Sequence, residues 1–120
     1  MEKPAPVTVA WYTDAVPEDP RVVKGQMFGH PCAFVGGNMF LGTFGQSVVA
    51  RVGEARAAAL VAERGLVLFE PMPGRAWKDY VRLPTGSLPD AELAAIAVEA
   101  LAHTAALPPK AKKPPTKRAR

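Results

Sequence analysis

The stretch from residue 27 to residue 44 constrains the fold most strongly, because it predicts a tight β-hairpin. Two apolar runs rich in strand-forming residues flank Gly36-Gly37-Asn38. Glycine and asparagine tolerate the positive φ angles that short hairpin turns require. A link this short joins antiparallel strands, since parallel neighbours need a crossover connection of about a dozen residues or more. The chain therefore predicts an antiparallel sheet built around this hairpin.

Apolar periodicity on either side of the hairpin predicts three helices and three further strands. The helices are expected at residues 6–16, 54–64 and 87–107, and the strands at residues 46–52, 66–69 and 77–83. Gly65 is placed to end the second helix, and Ser87 is placed to cap the third, with Asp90 three residues on. The expected core includes Phe34, Phe40 and Leu101.

This order of elements predicts the fold class. We expect an α+β domain in the order α-β-β-β-α-β-β-α, with a five-stranded, mainly antiparallel sheet and helices mostly on one face. The domain is expected to span residues 1–107, followed by a basic, proline-rich, disordered tail at residues 108–120. An open sheet face or an edge strand of such a domain favours a homodimer or another protein partner.

Hydropathy and cysteine usage predict a cytoplasmic protein without membrane contact. No apolar run approaches the roughly 20 residues that a membrane-spanning helix needs. The N-terminal residues lack the apolar core of a signal peptide. Cys32 is the single cysteine, so the chain has no intrachain disulfide.

The positive net charge of +4 is concentrated at the C-terminus. The tail has no acidic residue, so the rest of the chain is slightly acidic, and composition predicts no basic face on the folded domain. We expect the tail to bind nucleic acid weakly, through phosphates and without base recognition. The tail cations are Lys110, Lys112, Lys113, Lys117, Arg118 and Arg120.

The predicted fifth strand interleaves cations with aromatic residues, which is a pattern typical of nucleic-acid or partner contact. Its candidate residues are Arg75, Trp77, Lys78 and Arg82. The alternative is that Trp77 or Tyr80 packs in the core while the cations face solvent. Strand alternation predicts that Trp77 and Tyr80 point to opposite faces.

The search for catalytic groups finds one pair, His30 and Cys32, which would share a face of a regular strand. The pair could serve as a nucleophile and base, or as half of a metal site, but a metal site usually needs three or four ligands. The alternative is a small buried thiol. His103, the only other histidine, is expected in solvent. We assign no catalytic, cofactor or metal residue, and we keep a small enzyme using His30 and Cys32 as the alternative to a binding module.

The ordered residue blocks resemble the N-terminal domain of TfoX/Sxy-type bacterial proteins over roughly residues 8 to 110. The matching blocks are Met27-Phe28-Gly29, the Phe34 to Phe40 hairpin, the strand ending at Arg51-Val52, residues 69–75, Tyr80 with Leu83-Pro84, and Leu107 to Lys110. The resemblance implies an α-β3-α-β2-α fold and a regulatory module, and the family has no established catalytic residues. The absence of a complete catalytic site in the sequence favours a non-catalytic binding or regulatory module. The namesakes of the family regulate natural competence and carry a second, C-terminal domain, so we expect this chain to be a stand-alone member.

Overall fold

The computed structural model describes residues 4–27, 29–72 and 74–108, which form an α+β domain with three helices and six antiparallel strands. The elements in chain order are α1 (Pro6–Ala15), β1 (Val23–Met27), β2 (His30–Val35), β3 (Asn38–Phe44), β4 (Ser47–Arg51), α2 (Glu54–Arg64), β5 (Val67–Met72), β6 (Arg75–Pro84) and α3 (Asp90–Ala105). The strands lie in the order β1-β2-β3-β4-β6-β5. No helix in this described part is long and apolar enough to cross a membrane.

The prediction of five strands is wrong by one, because β1 precedes the predicted hairpin and was not among the predicted strands. This strand pairs with β2 alone and forms one edge of the sheet. Its sequence, VKGQM, lacks the apolar alternation of a half-buried strand, and Lys24 and Gln26 are exposed. This strand therefore forms because its backbone pairs with β2, and its side-chain pattern gives no indication of a strand.

The central hairpin is confirmed. Gly36 and Gly37 form the turn between β2 and β3, with φ angles of 59° and 81°. A positive φ at both positions matches the right-handed twist of the strands they join. The register then shifts, because Ala33 pairs with Leu41 whereas Phe34 pairs with Met39. This bulge leaves Phe40 without a partner in β2.

All three helices pack on one face of the sheet, where they form the main core with residues from β2, β3, β4 and β6. Phe40 and Leu101 are buried there, as predicted. Phe34 is different, because it is only partly buried and lies in a second cluster on the opposite face. The sheet therefore has two apolar faces, of which the helices cover one.

The helix ends confirm one prediction and correct another. Helix α2 has the predicted bounds, and Gly65 ends it with a φ of 66°. Helix α3 begins later than expected, with Pro89 and not Ser87 at the N-cap position. The Asp90 carboxylate instead accepts a hydrogen bond from the Trp11 indole N–H at 3.0 Å, which joins α1 to the start of α3.

His103 was expected in solvent, but its ring packs against the backbone of Gly53. A Cβ atom at residue 53 would lie 2.9 Å from the imidazole Cε1, and the φ of Gly53 is 94°. Both the space and the backbone conformation therefore require glycine here. Thr104 donates a hydrogen bond to the Arg51 carbonyl at 3.4 Å, so α3 is held against the end of β4.

We predict that Leu101→Ala lowers the free energy of unfolding by about 2–5 kcal/mol, because Leu101 is 4% exposed and its loss leaves a cavity between α3 and the sheet. Val98→Ala is the matched control on the same helix, since Val98 is 56% exposed. Urea unfolding should show a change of less than about 0.5 kcal/mol for the control. A loss that small for Leu101→Ala would contradict the packing of α3.

Candidate binding face

The face of the sheet turned away from the helices is the candidate site, and we call it the open face. Its buried residues are Cys32, Met39, Val49, Phe69 and Tyr80, with Phe34 and Phe44 packed against them. No helix of the described chain packs on this cluster. Its residues come from β2, β3, β4, β5 and β6, so the cluster crosses the sheet almost from edge to edge.

The open face is covered mainly by its own aromatic rings. Phe44 lies 5.0 Å from Phe69, and Phe69 lies 5.2 Å from Trp77, both in edge-to-face geometry. Tyr80 lies 5.2 Å from Trp77 in a tilted arrangement. The distances are between ring centroids and fall in the range that aromatic pairs prefer. The rings therefore form a continuous row from β3 to β6.

The prediction that Trp77 and Tyr80 point to opposite faces is wrong, because β6 carries a bulge. Leu68 pairs with Val81, but the next residue of β5, Phe69, pairs with Trp77. The backbone of Asp79, inside the bulge, accepts hydrogen bonds from the N–H groups of Val52 and Gly53 at 3.0 and 3.1 Å. The extra residues break the alternation, so both rings contact Phe69 on the open face.

Two arginines lie among these rings. The Arg51 guanidinium carbon is 5.5 Å from the centroid of the Tyr80 ring, which is cation–π geometry. The Nε of Arg51 also donates to the Asp79 carboxylate at 2.6 Å. Arg82 pairs directly with Val49 of the open-face cluster, and its Nε donates to the Ser47 hydroxyl at 2.9 Å.

The structure brings together some of the predicted site residues and not others. Trp77 and Arg82 lie on the open face, whereas Arg75 and Lys78 are exposed on the β6 arm of the hairpin formed with β5. Trp77 is 37% exposed, so it is neither a core residue nor fully solvated. The six tail cations lie outside the described residues: Lys110, Lys112, Lys113, Lys117, Arg118 and Arg120.

The predicted pair of His30 and Cys32 is buried, and each side chain has a contact of its own. The Cys32 sulfur lies 3.3 Å from the backbone carbonyl of His30, to which it donates, and the imidazole stacks on Phe44 at 5.8 Å. Each of the two residues is only 2% exposed, and the His30 Nδ1 has no hydrogen-bond partner in the described chain. Neither group is therefore open to solvent.

Other candidate sites are weaker. Among the described residues, no three His, Cys, Asp or Glu side chains converge where they could hold a metal ion. A shallow groove of about 310 Å³ lies beside α1 and the start of α3. It was not anticipated from sequence, and its lining includes Trp11, Asp14 and Asp90. The Asp90 carboxylate in this groove already accepts a hydrogen bond from the Trp11 indole N–H.

Both tyrosines are held in the neutral form. Burial raises the pKa of Tyr80 above its usual value, although the positive charge of Arg51 opposes the rise. The Tyr80 hydroxyl donates to the Met39 carbonyl at 3.0 Å. Burial also raises the pKa of Tyr12, which lies in the helix-side core. The folded pKa values exceed the unfolded value of about 10, so the neutral tyrosines contribute fully to stability below that pH. This contribution is lost as the pH rises from the unfolded pKa through the folded pKa.

We predict that the two tyrosines stay protonated at pH values where free tyrosine ionises. Phenolate absorbance should remain low near pH 10 in the folded chain and should rise together with unfolding as the pH increases further. In Tyr12→Phe, the remaining signal belongs to Tyr80 alone, since the chain has two tyrosines. A normal, non-cooperative titration of Tyr80 in this variant would contradict its burial in the open-face cluster.

Comparison with known proteins provides no precedent for this face. No family model, curated protein or solved structure matches the chain. The resemblance to the N-terminal domain of TfoX/Sxy-type proteins stays a prediction, which rests on the ordered residue blocks and on the order of helices and strands that they imply.

Proposed function

We propose that the chain is a non-catalytic binding and regulatory module of the TfoX N-terminal type, and that its binding surface is the open face. The observation that carries the proposal is the aromatic row with a partly exposed Trp77 at one end. Exposed aromatic residues beside arginines are typical of recognition surfaces, where they supply contact area at little entropic cost.

Several features support binding over catalysis. The only cysteine is 2% exposed, and its thiol donates a hydrogen bond to the backbone carbonyl of His30. Arg51 is paired with Asp79, and Arg82 is bonded to Ser47, so both guanidinium groups are oriented by the protein. Prior orientation lowers the entropic cost of binding. The enzyme alternative would require a site built around His30 and Cys32 that opens to substrate.

We predict that substitution of Trp77 reduces what the full chain captures from a bacterial extract, when both proteins and nucleic acids are quantified. Trp77→Ala removes the most exposed ring of the open face, whereas Val98→Ala removes an exposed apolar side chain from α3 and serves as control. If Trp77→Ala, Val98→Ala and the parent chain all capture the same molecules in the same amounts, the open face is not the binding surface.

The C-terminal tail is the second proposed contact. With six cations and no acidic residue, it should bind phosphate by releasing counterions, with a log–log salt slope of about −5 at most. We predict that deleting residues 109–120 abolishes this base-independent component and leaves the unfolding temperature nearly unchanged. The deletion retains Pro108, whose carbonyl accepts a hydrogen bond from the Asn38 side chain at 3.3 Å.

Filter binding to a duplex at several salt concentrations tests the tail. A deleted chain that retains the full salt dependence would refute the tail contact and assign the phosphate contacts to the folded domain.

A further inference from the structure

The described chain separates its charges between its two layers. The strands carry five Lys or Arg residues and two acids, whereas the helices carry six acids and two arginines. The cations of the strands are Lys24, Arg51, Arg75, Lys78 and Arg82. The slightly acidic composition of the domain therefore hides a positive sheet on a negative helix layer, and this arrangement creates a field that attracts anions toward the strands.

The positive charge is concentrated toward one end of the open face. Lys24 does not contribute, because it pairs with Ala33, which belongs to the helix-side core. Arg51 and Arg82 lie on the face itself, on neighbouring strands β4 and β6. Of the two strand acids, Asp79 is paired with Arg51, so this pair adds no net charge to the face and, among the described residues, Arg82 is its unpaired cation. Glu70 accepts a hydrogen bond from the Gly74 N–H. The remaining strand cations, Arg75 and Lys78, are exposed on the adjacent hairpin arm.

Aromatic rings and cations occupy the same region of the sheet. Trp77 is partly exposed and packs against Tyr80, and Arg82 lies two residues beyond Tyr80 on the same face of β6. Phe34 and Phe44 continue the partly exposed aromatic surface toward β2 and β3. A polyanion with flat, unpaired bases offers both complementary features, since bases stack on aromatic rings and phosphates contact arginine. A duplex offers only its phosphates to such a face, because its bases are already stacked and paired.

The same charges disfavour a second copy of the chain on this face. A two-fold symmetric dimer places the same patch of each copy against its partner. A patch that contains Arg82 and the hairpin cations would then face the same positively charged patch of the other copy, and like charges across an interface oppose association. This argument replaces the expectation of a homodimer through the sheet face with an anionic partner.

We infer that the open face binds single-stranded nucleic acid, with Trp77 stacking on a base and Arg82 contacting a phosphate. The inference rests on the proposed function and names its partner. Arg51 acts as a positioning residue, because its guanidinium group lies over Tyr80 and is paired with Asp79. The exposed Arg75 and Lys78 extend the phosphate path along the hairpin arm.

The test measures fluorescence anisotropy of a labelled oligothymidine with the full chain, at low and at physiological salt. Trp77→Ala should weaken binding by about tenfold, while Trp77→Phe, which keeps a ring, should restore most of the affinity. Arg82→Ala should weaken binding and reduce the salt slope by about 0.7. Arg56→Ala is the matched control, because it removes one cation from α2, where Arg56 is paired with Glu99.

An abasic phosphodiester of equal length distinguishes binding by the open face from binding by the tail, because stacking on the open face requires bases and phosphate binding by the tail does not. The parent chain should bind oligothymidine more tightly than the abasic strand, and Trp77→Ala should remove this difference. Equal affinity of the parent for the two probes, or equal losses in Arg82→Ala and Arg56→Ala, would overturn the inference. If oligothymidine does not bind but capture from an extract still depends on Trp77, this inference fails while the proposed function stands.

Discussion

In the part of the chain that the structure describes, the three helices cover one face of the six-stranded sheet, and the second face buries its apolar surface with its own side chains. The aromatic row achieves this, because each ring packs edge-on or at a tilt against the next. The row shields Cys32, Met39 and Val49 from water, as a helix would on the other face. Coverage by side chains is thinner than coverage by a helix, which leaves Trp77 partly exposed and available for contact.

The bulge in β6 makes this arrangement possible. On a regular strand, Trp77 and Tyr80 would lie on opposite faces, and the aromatic row would lose one of the two rings. The bulge brings both rings to one side and also turns the Asp79 carbonyl toward the start of α2. The Asp79 side chain meanwhile pairs with Arg51, whose guanidinium lies over Tyr80. One backbone irregularity therefore connects the open face to the helix layer.

The segregation of charge has a related physical meaning. The negative charge of the helices and the positive charge of the strands nearly cancel in the net charge of the domain, so composition alone predicts no charged face. Their separation across the domain produces opposite potentials on its two sides, which orients an approaching polyanion toward the sheet. In the interaction that we propose, the tail would add phosphate contacts without base recognition, and the folded face would supply stacking.

Local chemistry made several features of the chain predictable. The Gly36-Gly37 turn, the bounds of α2 and the Gly65 stop follow from backbone conformations that few other residues adopt. Strand β1 was missed because an edge strand needs hydrogen bonds from a neighbour and little apolar patterning. The bulge in β6, the placement of Arg51 over Tyr80 and the packing of His103 on Gly53 depend on contacts between residues distant in sequence. The sequence by itself therefore determined the local turns, helices and fold class, and only the tertiary structure decided which side chains share the open face.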